Sequence, residues 1–577
     1  MPTEKVIYDK YTQDLLSTRF IVLWIATLVV IFAYISVHGM GHYYYNPDEL
    51  SDIAIAKGTT LKEVLQFSLY EAHPPLGQIL RHYWMMISDN IWFVRSFSLI
   101  FAVALVPLYY KLGTFLNGQL TGLCCSALIA FSHGCITQDF LVRNYTLFLF
   151  LLSLSFYFYL QWHKQHTSRL LLSYSCFAAL AVLTHFSGIF AICSIASYEM
   201  GSLYLHKEGN SDKIRWLLAN SIIAIIMCTS YYFWRDANAA LNVFSSFSHS
   251  LLPNTYLLVA TALYPLFVSY YILPSHGAAV LIIPMLVLTI FRKGVHPFFF
   301  LVCIAIGLGM GLVFTGKYPF LTSRHSLWVL PFIVTTAGWT VADFLQWCAD
   351  QCSKEFKFSR LKIMAITVLI GGCACYSPAE RFAETGDLGY YLDQGEYWKE
   401  YNHQVSKEEL LKIRNYLSTL DTTHIILTGG KLFPLVPPDK NLYNYYGEYT
   451  ANTLGSVGVI PYYHTRILFS TSYYPLQLTK MLQKTGDANT LVFMEMSWAP
   501  TFDVSELILC PTLDKKIITF PPQAKNHVIT REELKNTPVV LLEISKQKFF
   551  EQAVSPTGKA HKCYRGSVEW NEGASQP

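Results

Sequence analysis

Asp48 and Glu49 stand side by side in Tyr45-Asn46-Pro47-Asp48-Glu49-Leu50, directly after the first long apolar run of the chain. The same polar interval ends in Glu71-Ala72-His73-Pro74-Pro75-Leu76-Gly77. Carboxylates at a membrane edge are costly unless they face water, pair or do chemistry. Asp48 follows Asn46-Pro47, so extended, turning chain is expected there. A carboxylate held that way can take a proton from an approaching hydroxyl, and general-base catalysis contributes about 10²–10⁴ in rate. Glu49 would position Asp48 or the acceptor, or bond to the scaffold. The plain alternative is a solvated acidic loop. In the second piece, two prolines fix a helix start, and Leu76–Ile87 continues it as an apolar helix. Glu71 and His73 then sit just before a helix N-terminus, where the dipole favours anions. As a Glu and a His two apart, they are candidate ligands of a divalent ion, with Glu49 or His42 assisting. An N-capping cluster without a ligand is the other reading.

The elements that must position these residues are membrane helices. The 577 residues are 52% hydrophobic and only 14% charged, where soluble domains carry about 25% charge. The net charge of +4 is small and spread out, which argues against nucleic acid. The 13 cysteines show no C-x-x-C spacing that would imply zinc. The polar start, residues 1–19, precedes the first apolar run, so the first helix is expected to remain as an anchor rather than a cleaved signal. Apolar runs of about 17–25 residues fall at 20–38, 92–112, 120–137, 144–161, 170–186, 188–205, 215–234, 277–291, 297–315, 325–346 and 361–376. Segment 254–273, rich in Tyr and Pro, is read as interfacial or re-entrant.

Lys and Arg in the short loops set the orientation. Lys5, Lys10 and Arg19 precede the first span. Lys164 and Arg169, then Lys207, Lys213 and Arg215, then Arg292 and Lys293, then Lys354, Lys357, Arg360 and Lys362 mark later loops. All lie on one side if the N-terminus is cytoplasmic and 254–273 does not cross. The fold class expected is an all-α polytopic membrane domain of about eleven spans over 20–376, with 39–91 as an outer loop. An extracytoplasmic α/β or α+β domain over 377–577 follows it. That tail holds strand-like runs at His424–Thr428, Thr490–Met494 and Val539–Glu543 and an amphipathic helix at Lys407–Leu420. Gly429-Gly430 reads as a turn, since no phosphate-loop pattern follows it. Cys510 and Cys563 are either a disulfide of an oxidising compartment or two free thiols. No internal repeat is visible.

The two acidic pieces, in this order after the first span, resemble polyprenyl-phosphate-dependent glycosyltransferases of the GT-C fold. The group is that of dolichyl-phosphate-mannose protein mannosyltransferases and bacterial lipid A aminoarabinose transferases. Those proteins carry an Asp-Glu pair in the first extracytoplasmic loop, matched by Asp48-Glu49. Many bacterial members then carry an acid and His-Pro-Pro-Leu, matched by Glu71 and His73–Leu76. Arg95 opens the next span, Arg143-Asn144-Tyr145 resembles the family's Arg-x-Tyr, and Thr184-His185-Phe186 its Thr-His-Tyr/Phe. Ser323-Arg324-His325 is similar to its Arg-Tyr before a proline-containing helix. The likeness covers roughly residues 20–345. One departure is that Gln138-Asp139 stands two positions away from the place of the family's Gln-Glu-Ala, so Asp139 replaces the missing acid from a shifted place or has no role.

The resemblance implies a sugar donor on a polyprenyl phosphate, with Asp48 as base and Glu49 as its helper. Glu71, His73, Arg143, Tyr145, Arg324, Asp139 and Arg95 would line the substrate site, the arginines facing the phosphate. For each arginine the bland alternative is a snorkelling cation at the membrane edge, which is the reading preferred for Lys317. His185 reads more readily as a packing residue. The resemblance leaves the acceptor open among a lipid, a polysaccharide and a protein hydroxyl. No cofactor is required beyond the divalent ion considered above. The location implied is a bacterial inner membrane, with the tail domain periplasmic or extracellular. The competing classes are a lipid-linked saccharide ligase or polymerase of another fold, and a lipid-sugar transporter or flippase. The transporter predicts charges in mid-helix and broken helices in two matching halves.

Overall fold

The long apolar runs become helices in the computed structural model. It describes residues 18–40, 47–56, 60–68, most of 73–239, 261–265, 268–269, 272–273, 276–294, 297–314 and 323–353. Beyond 400 it describes 407–421 and seven strands, with a few adjoining positions. The expected span at 361–376, Glu71, Lys317, Cys510 and Cys563 lie outside the described residues. The chain divides into two units. The first gathers residues 1–43, 58–87 and 92–386, and the second gathers 44–57, 88–91 and 387–577.

In the first unit the order is α1 (Thr18–Met40), α3 (Leu61–Ser68), α4 (Leu76–Met85), α5 (Ile91–Asn117) and α6 (Gln119–Ala130). There follow α7 (His133–Ile136), α8 (Tyr145–Gln165), α9 (Ser168–Val182), α10 (Gly188–Leu205) and α11 (Asn210–Ala239). The last are α12 (His276–Lys293), α13 (Pro297–Phe314), a 3₁₀ turn (Ser323–Val329) and α14 (Leu330–Ser353). Seven of these are long and apolar enough to cross a membrane, and α6 and α9 are shorter apolar helices. The chain is a multi-pass membrane protein.

One expected span is divided. The run 120–137 is α6 and α7, because Ser132 interrupts it: its hydroxyl lies 2.5 Å from the Ile272 carbonyl and caps α7 at the Cys135 amide. Within 254–273 the described residues include a helical stretch at 261–265.

Burial separates centre from periphery. The apolar window Ser326–Cys348, most of it in α14, is 94% buried, and that of α11, Asn210–Tyr232, is 22% buried. α14 packs against α6 so closely that a Cβ on Gly338 would lie 2.3 Å from the Cys125 sulfur. A side chain larger than hydrogen there would separate the two helices. α8 and α9 form a hairpin closed by His166, whose φ of 49° is the left-handed cap that ends a helix.

The second unit contains α2 (Pro47–Ala56) and α15 (Lys407–Thr419). It also contains β1 (His424–Gly429), β2 (Asn441–Tyr445), β3 (Val457–Tyr462) and β4 (Thr465–Ser470), then β5 (Thr490–Met496), β6 (Lys515–Phe520) and β7 (Val539–Ser545). The strands form one mixed sheet in the order β3-β4-β2-β1-β5-β7-β6. β4, β2, β1 and β5 run parallel, and β3, β7 and β6 join antiparallel. The three runs read as strands from sequence are the neighbours β1, β5 and β7. Leu491, Val492, Leu541 and Leu542 are fully buried, as central strands of a covered sheet require. The expected amphipathic helix is α15, burying Ile413 and Leu417.

Candidate active site at the start of helix α8

Asp48 departs from expectation. It lies in the first turn of α2 rather than in extended chain. The restriction before proline acts on Asn46, whereas Pro47 itself is suited to the first helical position and the following acids favour the helix dipole. On α2 Glu49 is fully buried, as is Asp52 one turn on, an acid the sequence reading passed over.

In the first unit, Pro74 and Pro75 open α4 as expected. The Leu76 amide donates to the carbonyl of Leu183, the cap of α9, at 3.2 Å, so the His-Pro-Pro element is tied to the end of another helix. α8 begins where the 138–144 loop ends. Helices α1 and α5 hold that loop. Asp139 accepts from Ser36 of α1. Arg95 of α5 stacks 5.2 Å over the Phe140 ring and donates to the Met40 carbonyl at 2.5 Å. Ser98 donates to the Leu141 carbonyl at 2.6 Å.

The loop delivers Arg143 and Asn144 to α4. An Arg143 guanidinium nitrogen lies 3.2 Å from His73 Nε2. The guanidinium also sits 6.0 Å from the Tyr145 ring. Asn144 Oδ1 accepts from Arg81 at 3.1 Å, and its amide nitrogen lies 3.5 Å from Gln78 Oε1. Gly77 makes this approach possible, since a Cβ there would stand 1.9 Å from Asn144 Oδ1. His185, in the turn after α9, packs tilted against His73 with centroids 4.5 Å apart.

The structure therefore joins His73, Arg143 and Tyr145 in one buried cluster and holds Arg95 and Asp139 at its supporting loop. Arg324 lies in the 3₁₀ turn before α14. Sequence reasoning missed Gln78, Arg81 and Asn144. The signal was there: Gln78 and Arg81 are polar residues three apart in an apolar helix, hence on one face. A guanidinium nitrogen can only donate, so His73 Nε2 is the acceptor of the Arg143 contact. A divalent ion on that nitrogen would compete with a cation already there, so Nε2 does not fit a metal ligand. Among the described residues, no group of three or more His, Cys, Asp and Glu side chains could hold a metal ion.

Residues 72–234, from the His-Pro-Pro element through most of α11, match the family model described as dolichyl-phosphate-mannose-protein mannosyltransferase. The chain is similar in fold to ArnT from Cupriavidus metallidurans in the apo state. That likeness has 13% identity, covers 91% of this chain and 98% of that one, and has a TM-score of 0.50. The same protein bound to undecaprenyl phosphate matches with the same identity and coverage and a TM-score of 0.47. Archaeoglobus fulgidus AglB, an archaeal oligosaccharyltransferase in complex with an inhibitory peptide and a dolichol-phosphate, matches at 11% identity over 82% of this chain and 69% of that one, with a TM-score of 0.39. No curated protein sequence matches the chain. The chain has a GT-C fold, as ArnT does.

Proposed function

We propose that the protein is an integral membrane glycosyltransferase that moves a sugar from a polyprenyl-phosphate donor to an acceptor hydroxyl. The reading puts the reaction on the extracytoplasmic face of a bacterial inner membrane, with the N-terminus cytoplasmic. The observation that carries it is the buried Arg143–His73 contact at the start of α8. His73 Nε2 accepts from Arg143 there and so directs the guanidinium. Arg81 and Arg95 are likewise fully buried, and each donates to a neutral amide or carbonyl oxygen. Buried, oriented guanidinium groups suit a phosphate whose charge grows as it leaves.

The reaction is a single displacement. Asp48 takes the proton of the acceptor hydroxyl, and the freed oxygen forms a bond to the anomeric carbon. The bond from that carbon to the phosphate oxygen breaks, and the electron pair leaves with the polyprenyl phosphate toward Arg143, with Arg324 and Arg95 adding positive charge. One displacement inverts the anomeric centre. Glu49 orients Asp48 or the acceptor, while Tyr145 and Asp139 shape the site around the donor. Glu71 joins His73 in ordering the loop.

The test is transfer by the purified full chain, in detergent, from polyprenyl-phosphate sugars of both hexose and pentose type. Lipid and glycan products are followed by mass spectrometry. Wild type should form a product of inverted configuration and Asp48→Asn should form none while folding normally. An Asn variant with normal transfer would remove the base from this scheme, and a product of retained configuration would remove the single displacement.

A further inference from the structure

The turn between α9 and α10 supplies a second histidine that the displacement above does not use. His185 Nδ1 lies 3.2 Å from the Ser187 backbone nitrogen and 2.7 Å from the Ser187 hydroxyl. A backbone N–H can only donate, so Nδ1 accepts and the imidazole proton sits on Nε2. His73 is set the opposite way: its Nε2 accepts from Arg143, which leaves its own proton on Nδ1. The two rings lie 4.5 Å apart at 34°. Tyr145 and Phe148 hold the far side of His185, at centroid distances of 5.4 and 5.1 Å.

The turn that carries this pair is itself fixed. The Thr184 hydroxyl donates to the Leu180 carbonyl at 2.8 Å, and the His185 amide to the Ala181 carbonyl at 3.0 Å. Gly188 lets the chain pass the Phe148 ring, which a Cβ would meet at 3.1 Å. Both imidazoles are buried, at 8% and 5% exposure, so a flipped ring would present a C–H where an acceptor is needed, with no water to compensate. A flipped His73 would turn N–H or C–H against the Arg143 guanidinium and push it aside.

We propose that Ser187 and His185 form a positioning pair for the donor site. Ser187 sets the His185 ring, His185 backs the face of His73, and His73 holds the Arg143 guanidinium toward the phosphate. The proposal rests on Arg143 as the phosphate-binding residue of the proposed function. His185 is a positioning residue in this account, acting through His73.

The experiment measures binding of undecaprenyl phosphate to the purified full chain in detergent, beside the unfolding temperature of each variant. His185→Phe keeps an aromatic ring and removes both nitrogens; it should weaken binding roughly tenfold, the size of one oriented hydrogen bond. Ser187→Ala should weaken it by about threefold, and Ser187→Thr should restore the wild-type value, because only the hydroxyl matters. In an Arg143→Gln background, His185→Phe should have no further effect. Wild-type binding by His185→Phe, equal behaviour of Ser187→Ala and Ser187→Thr, or an undiminished His185→Phe effect without Arg143 would each overturn the pair. If His185→Phe does not fold, the two Ser187 variants decide. A wild-type chain that does not bind the lipid overturns the donor reading and this pair with it. Wild-type binding with indifferent variants overturns the pair alone.

Discussion

The two ends of helix α8 hold buried polar groups in opposite ways. At its start, Arg143 donates to His73 and Arg81 to Asn144, so neutral side chains help to orient two cations. Toward its end, Glu199 of α10 accepts from the Tyr159 hydroxyl at 2.8 Å, and its carboxylate lies 2.6 Å from His163 Nδ1. Asp343 of α14 is clasped in the same manner by Thr289 and Arg292 at 3.1 and 3.2 Å, and by Lys293, all from α12. An acid that accepts from donors on a neighbouring helix ties the two helices together. A guanidinium that also donates to an amide or imidazole is fixed in one orientation, from which it can meet an anion. The first arrangement builds the bundle, and the second builds a site.

The sharpest way to break this contrast is to remove one group from each kind of cluster. Arg143→Ala should lower sugar transfer by about 10³-fold, about 4 kcal/mol of transition-state stabilisation, with a small change in unfolding temperature. A loss of fold instead of transfer would make the start of α8 a clasp like the others. Glu199→Ala should do the reverse, costing about 2–3 kcal/mol of stability because Tyr159 and His163 lose their acceptor. Transfer per folded molecule should stay near wild type; a specific fall in turnover would extend the site to this end of the helix. Asp343→Asn should cost less, about 1 kcal/mol, since Arg292 and Lys293 are 27% and 43% exposed and water can take up their charge. The weakest effect should come from the sheet. Lys516 meets Glu543 at 3.1 Å across β6 and β7, and Lys516→Gln should change stability by about 0.5 kcal/mol or less.

Glu543 adds a pH arm to this last comparison. Burial pushes its carboxyl above the ordinary value. A carboxyl with a raised folded-state pKa holds its proton more tightly when folded, so its contribution to stability grows as pH falls through that value. Unfolding temperature followed from neutral toward mildly acidic pH should therefore fall less steeply for wild type than for Glu543→Gln, whose side chain does not titrate. The reverse order would mean that the Lys516 pair outweighs burial.

Much of the bundle was legible because a membrane helix is a local property. Spans such as 20–38, 144–161, 188–205 and 297–315 correspond to α1, α8, α10 and α13 within a few residues. The break at Ser132 was hidden, since it depends on a carbonyl of residue 272. Asp48 was placed in extended chain, because Asn46-Pro47 was weighed as a turn and Pro47 not as a helix start. His73 and Arg143 were named from their motifs, but nothing local links two residues 70 apart. Arg81 and Gln78 carried a faint signal as a polar pair on an apolar helix, and Asn144 carried none.

By itself the sequence determined the solvent of each segment. Runs of apolar side chains long enough to cross a bilayer bury their own backbone bonds as helices, whatever they later touch. Short continuous apolar runs such as 539–542 read as covered strands, whose backbone bonds come from their neighbours. Only the tertiary structure decided which polar groups meet. Arg143 is ordered by an imidazole just before α4, that imidazole by a ring after α9, and the strands β1, β5 and β7 by pairings across more than 40 residues. Hydrogen bonds and stacking act over a few ångströms, and the distances that matter to them exist only once the helices have packed.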